Sequence, residues 1–314
     1  MYVYINMNLF YYLKLLFKTF FSNISPNNSF LRDLKFNTIA ALDNIKFSIK
    51  NCLNKPTRFE DKDVYSRYWN NASIHLRFAL DYYKPIDLIN SPIIKIAVSG
   101  FGEKNNDLRE EEMIKNKFLY KITKEINKKF KKVDFSSIFN WLDIYFSSLD
   151  STIIGKDLSD KIKDLSILEI GAGLGMNAYL YPYYTAKPYY IYDLYEMNCV
   201  QKKIHSIFVD NLKTNTIDYF SDIEILNNKE VNKYFIVSYW AFSEFPLETR
   251  KLFEDTIKKS EFSIFLSNVE FENVNNLTYF ENLSKNLNKS LKIVPWVHRN
   301  QPDYTKKHKF FIIY

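Results

Sequence analysis

Cysteine is nearly absent: Cys52 and Cys199 are the only two in 314 residues, far apart and without CxxC spacing. That excludes a disulfide framework and a thiolate zinc site, and it fits a reducing, cytoplasmic setting. Histidine is scarce too. His75, His205, His298 and His308 are scattered, and no HxxxH pair sets two imidazoles on one helix face. A zinc enzyme is not indicated, and no metal is expected. Long apolar runs are missing as well. The N-terminal stretch "MYVYINMNLFYYLKLLFKTFF" is apolar and aromatic, but Asn6, Asn8, Lys14 and Lys18 interrupt it. What remains is too short for a spanning helix. It lacks the charged n-region and small-residue cleavage site of a secretory signal. Lys14 and Lys18 lie one helical turn apart. The segment therefore reads first as a packed helix and second as an interfacial helix, which would give a peripheral contact at the inner membrane face.

What is present is ordinary for a soluble globular chain. Apolar residues make up 46% and charged residues 25%. Net charge is +7 and the pI is near 9.0. Such a balance suits acidic partners, but a Lys-rich solvated surface produces it equally well. The densest basic run, "NKKFKKVD", lacks the Arg-rich aromatic context of a nucleic-acid module, and no nucleic-acid partner is expected.

The chain divides by rhythm into two parts. Residues 1–160 read mostly as helices, with apolar spacing of helical period at 66–83, 109–130 and 136–149. Residues 161–314 alternate strand and helix. Strands are expected at 166–170, 188–194, 217–220, 234–242 and 261–269, with helices at 198–212, 247–260 and 277–288. Two last strands, 291–298 and 306–314, leave no room for a helix between them and must run antiparallel. The expected fold is α/β. A parallel sheet closed by a C-terminal antiparallel hairpin, the Rossmann-like layout of a class I methyltransferase, follows a mostly helical N-terminal region.

The chemistry concentrates in "ILEIGAGLGMNAYLY", residues 167–181. A dinucleotide turn runs G-x-G-x-x-G, so that backbone amides meet a pyrophosphate at a helix N-terminus. Here Gly171, Ala172, Gly173 and Gly175 give G-A-G-x-G, and the next dinucleotide position is Met176. Glu169 stands two residues before the first glycine. A carboxylate there repels a pyrophosphate and suits S-adenosylmethionine (SAM), whose sulfonium and amino groups are cationic. No Lys follows the glycines, which excludes a Walker-type loop. Asp193, at the end of the second strand, suits both ribose hydroxyls. Asp222, after the third strand, suits an adenine amino group. Singly, each has an ordinary explanation as a turn glycine, a cap or a surface acid. Together, in this order and on these elements, they indicate SAM.

The segments "ILEIGAGLGMNAYLYPYYTAKPYYIYDLYEMNCVQKK" and "YFIVSYWAFSEFPLETR" resemble the sugar O-methyltransferases of bacterial surface-polysaccharide clusters. The specific parts are "SYWAFSE", "YDLYEMN" and the upstream "SRYWNNAS" at 66–73. The resemblance covers roughly residues 60–314. It implies methyl transfer from SAM to a sugar or glycan-precursor acceptor.

A sugar hydroxyl loses its proton as the new bond forms, and a positioned base contributes about 10²–10⁴ in rate. The end of the fourth strand offers Tyr239, Trp240, Ser243 and Glu244. Glu244 is the first choice for the base and Ser243 for its orienter, with His298 second. Glu244 also suits a first-turn acid of the helix that follows. The metal route would draw on Asp193, Glu196 and Glu244, which form no diagnostic cluster. Other readings are a small-molecule or lipid methyltransferase on the same core, or a non-catalytic SAM-binding scaffold in a glycan assembly complex. An amino-directed nucleic-acid enzyme would carry Asn/Asp-Pro-Pro-aromatic where this chain has "YWAFSEF".

Overall fold

The computed structural model describes residues 116–129, 135–207, 217–229, 233–271, 273–296 and 307–314, with Leu76, Leu80 and Leu88. The N-terminal segment with Lys14 and Lys18, "SRYWNNAS" and His298 lie outside the described residues. No described helix is long and apolar enough to cross a membrane.

Two helices come first, α1 (Lys117–Lys129) and α2 (Phe135–Ser148), then two short ones, α3 (Ser151–Ile154) and α4 (Lys156–Lys161). Five parallel strands follow: β1 (Ser166–Ile170), β2 (Tyr189–Tyr192), β3 (Ile217–Phe220), β4 (Tyr234–Tyr239) and β5 (Ser263–Asn268). The crossovers are α5 (Tyr195–His205), α6 (Ile223–Asn228), and the run α7 (Ala241–Glu244), α8 (Leu247–Lys251) and α9 (Glu254–Lys259). After β5 come a small ribbon, β6 (Glu270–Phe271) with β7 (Val274–Asn275), and α10 (Asn276–Asn286). The closing hairpin is β8 (Leu291–Pro295) and β9 (His308–Ile313). Sheet order is β3-β2-β1-β4-β5-β9-β8, and β9 runs antiparallel to both β5 and β8. This is the class I methyltransferase topology expected from the sequence.

Alternation along the strands sorts their side chains onto two buried faces. Ile167, Tyr189, Ile191, Val237 and Leu266 pack under α1, α2 and α5. Leu168, Ile170, Tyr190, Ile236 and Phe265 pack under α6, α9 and α10. Phe280 of α10 stacks on Phe311 at 4.4 Å between ring centroids and is fully buried. Burying such a ring is worth roughly 1.5–3 kcal/mol. The described N-terminal helices share one apolar core with the sheet instead of forming a separate one.

The crossover from β1 to β2 departs from expectation. In place of an α-helix it holds two 3₁₀ turns, Met176–Tyr179 and Tyr181–Tyr183. Pro182 explains the break: in an α-helix its ring would clash with the carbonyl four residues back, and it has no N–H to donate. Three more elements differ. β4 stops at Tyr239, because Trp240 takes φ +63° and Ala241–Glu244 turns helical. The helix expected at 247–260 is split into α8 and α9. α5 begins at Tyr195, three residues early.

Candidate active site

Strand order reverses between β1 and β4, and the crevice outside their carboxyl ends is the switch point where open α/β sheets bind ligands. Ser238 ties the two strand ends together: its hydroxyl donates to the Ile170 carbonyl at 2.7 Å and accepts from the Phe242 amide at 3.1 Å. Gly171 lets the corners approach. Its φ is +72°, and a Cβ there would stand 2.0 Å from the Ala241 Cβ. Gly175, at φ +68°, makes room for His205, whose Nε2 lies 2.8 Å from the Gly175 carbonyl. Since a carbonyl only accepts, His205 carries its proton on Nε2, and Nδ1 accepts from the Tyr219 hydroxyl. Burial lowers its pKa to about 4, so it is neutral.

A cavity of about 110 Å³ opens at this crevice. Glu169, Gly171, Ala172, Gly173 and Asn177 line one side, and Tyr239 and Trp240 of the β4 end line another. Trp141, Ile144 and Tyr145 of α2 cover it. Small-molecule sites usually measure about 300–1,000 Å³, so this one matches the polar end of a ligand and not its whole body.

Glu169 faces the cavity and is buried. Its carboxylate accepts from the Asn177 side chain and the Tyr189 hydroxyl, both neutral donors. Burial dominates and raises its pKa to about 7; the two hydrogen bonds lower it in part, and Asp193 raises it further. Asp193 is also buried, with its pKa pushed up to about 7 by the same cause. Its carboxylate accepts from the Leu194 amide at 2.8 Å and Gln201 Nε2 at 2.7 Å, and it takes hydrogen bonds from the Gly173 and Ala172 backbone. It therefore braces the glycine turn from behind and is not among the residues lining the cavity.

The other expected residues lie as follows. Asp222 is exposed and caps α6, accepting from the Glu224 amide at 2.8 Å. Ser243, expected as the orienter of Glu244, is fully buried, and its hydroxyl donates to the Trp240 carbonyl at 2.6 Å. It holds the turn after β4 closed. Glu244 ends α7, half-buried, and does not line the cavity.

Two features of this corner escape sequence reasoning. Trp240 takes a left-handed φ that a bulky side chain rarely adopts, a strain that clusters at functional corners. Its indole N–H donates to His308 Nδ1 at 2.9 Å. Arg250 is fully buried and donates to the carbonyls of Phe245 and Ser243 and to Asn276. Burial lowers its pKa to about 10, still well above neutrality, so a cation clamps the turn that carries Glu244. A helix-face arginine in "LETRK" gives no sequence sign of this. Among the described residues no group of three His, Cys, Asp or Glu is placed to hold a metal.

No family model and no curated protein sequence matches the chain. Solved structures do. The methyltransferase domain of a bacterial CtHen1 aligns at TM-score 0.40 and 10% identity, over 52% of this chain and 98% of that one. Magnesium protoporphyrin IX methyltransferase from Synechocystis, solved with bound SAM, aligns at 0.39 and 11% over 58% and 84%. A SAM-dependent methyltransferase from Aquifex aeolicus aligns at 0.35 and 16% over 58% and 98%.

Proposed function

We propose that this chain is a SAM-dependent O-methyltransferase whose acceptor is a sugar hydroxyl of a surface-polysaccharide precursor. The observation that carries the cofactor is Glu169. It is a buried carboxylate, held by two neutral donors, at a glycine-lined cavity on the sheet's switch point. Desolvation without a cationic partner is what pushes its pKa up, and a ligand cation would supply that partner. The same feature disfavours a dinucleotide. A pyrophosphate would meet a carboxylate, and the 3₁₀ turns after the glycines offer no long helix dipole to bind it. The residues fit SAM: Glu169 and the Gly171–Gly173 backbone would hold its charged end, and Asp193 keeps that turn in shape.

Bound SAM supplies an electrophilic methyl group. The chain's own part is to align an acceptor oxygen and exclude water. Trp141 and Tyr145 of α2 line one side of the cavity, and Tyr239 and Trp240 its β4 side. The Tyr239 hydroxyl is paired with Ser148 Oγ, so its ring is held in place. Glu244 is the base we assign to the acceptor proton, with its turn fixed by Ser243 and Arg250. The sugar class rests on the "SYWAFSE" and "YDLYEMN" resemblance.

The test is calorimetric titration with S-adenosylhomocysteine, with NAD as control, followed by methyl transfer from labelled SAM to free, nucleotide-linked and lipid-linked sugars. The reading expects binding of the former alone, label on a sugar oxygen, and loss of turnover with binding kept in Glu244→Gln. NAD binding would overturn the cofactor. Label on a lipid or small molecule, with none on sugars, would overturn the acceptor.

A further inference from the structure

A second cavity, of about 310 Å³, lies on the opposite face of the sheet and toward its other end. Leu168 and Tyr190 reach it from β1 and β2, and Tyr234 is the first residue of β4. Lys233 precedes β4, Lys259 ends α9, and Glu261 lies just before β5. α6 has six residues, roughly 9 Å of helix, too short to roof the strands to their amino ends. Leu168 and Leu226 form an apolar floor, with the rings of Tyr190 and Tyr234 as walls.

The charges around it do not cancel. Lys229 is paired with Asp218, and its ammonium sits 4.8 Å from the Tyr190 ring centroid. Glu261 acts on Lys289, whose pKa burial lowers and the Glu261 carboxylate partly restores. Lys233 and Lys259 are exposed at the rim and have no carboxylate partner among the described residues. Two ammonium groups with no carboxylate partner among the described residues thus stand over a floor of leucine and tyrosine.

We propose that this cavity is a binding site for a phosphorylated small molecule with a flat, apolar body. The body lies on Leu168, Leu226, Tyr190 and Tyr234, and the phosphate sits between Lys233 and Lys259. A phosphate monoester carries about −1.5 to −2 charges at neutral pH, which matches two ammonium groups. Its body replaces water over apolar surface, so an inorganic ion gains less than an aryl phosphate. The volume is at the lower end of ordinary ligand sites, about 300–1,000 Å³, and suits one ring system with its phosphate. Glu169 and Leu168 point to opposite faces, so this ligand and one at the glycine turn would not compete.

The test is calorimetry on the full chain at low ionic strength with phenyl phosphate and inorganic phosphate, in wild type and in Lys233→Ala/Lys259→Ala. Phenyl phosphate is expected to bind one-to-one, about tenfold tighter than inorganic phosphate, and to lose about tenfold in the double variant. Equal binding of both probes would mean diffuse attraction to a basic surface and would overturn the site. So would absent binding, or binding that the double variant keeps. S-adenosylhomocysteine titrated into the same samples is expected to bind unchanged in the double variant. The two readings therefore fail separately.

Discussion

The two ends of the sheet carry opposite charge in opposite surroundings. At the carboxyl ends, Glu169 and Asp193 are buried acids, and burial pushes both toward pKa 7. At the amino ends the surplus is positive, and Lys233 and Lys259 stand in water. The difference teaches where electrostatics gains force. A buried carboxylate has lost its hydration and responds strongly to one cation, whereas an exposed ammonium is screened by solvent and salt. The crevice is built to discriminate, and the basic rim to collect.

The sharpest way to break the contrast is Glu169→Gln. With the carboxylate removed, the affinity for S-adenosylhomocysteine should fall about 100- to 1,000-fold by calorimetry, because a desolvated partner of a ligand cation is gone. Gly171→Ala comes next. It forces a left-handed φ on alanine and drives its Cβ into Ala241, so denaturant unfolding should show a loss of about 3 kcal/mol.

A pH series sharpens the same comparison. The folded-state pKa of Glu169 lies above that of an ordinary carboxylate, so the fold holds this proton more tightly than the unfolded chain does. Its favourable contribution is complete below the ordinary carboxylate value and is lost as pH rises through about 7. Wild type should therefore lose up to about 3 kcal/mol relative to Glu169→Gln between pH 4.5 and 8, as read by thermal and denaturant melts. Asp193 has the same sign and is common to both proteins. His205 has the opposite sign: its pKa is lowered to about 4, so the stability it gives at neutral pH is lost as pH falls toward that value. Comparing the two curves removes His205 and leaves, for Asp193, only its coupling to Glu169. At the other end, Lys233→Ala should change stability by less than about 0.5 kcal/mol, since the side chain is exposed and has no carboxylate partner among the described residues.

Much of this was legible in the sequence, and the reason is local. Apolar strands bounded by turns gave the sheet, and the short gap before His308 forced the antiparallel hairpin. Glu169 and Gly171–Gly173 read as one cluster because they adjoin in the chain, and they line one cavity. Illegible features depend on contacts between distant segments. Gly175 is left-handed, and it also needs its hydrogen because His205 packs on it from thirty residues away. The left-handed Trp240 follows from the β4–α7 corner and its bond to His308, and no propensity announces it. Ser243 read as the orienter of Glu244, and its hydroxyl donates to the Trp240 carbonyl across its own turn. Asp193 was placed at the right strand end, yet its side chain turns behind the glycines because Gln201, one helix away, holds it there.

The most direct test is the affinity for S-adenosylhomocysteine measured by calorimetry from pH 8 down to pH 6. If Glu169 receives the ligand cation, wild-type affinity falls as pH drops through about 7 and the carboxylate is protonated, while Glu169→Gln binds weakly at every pH. A flat wild-type profile, or a Gln variant that binds as wild type, would contradict the assignment of the crevice.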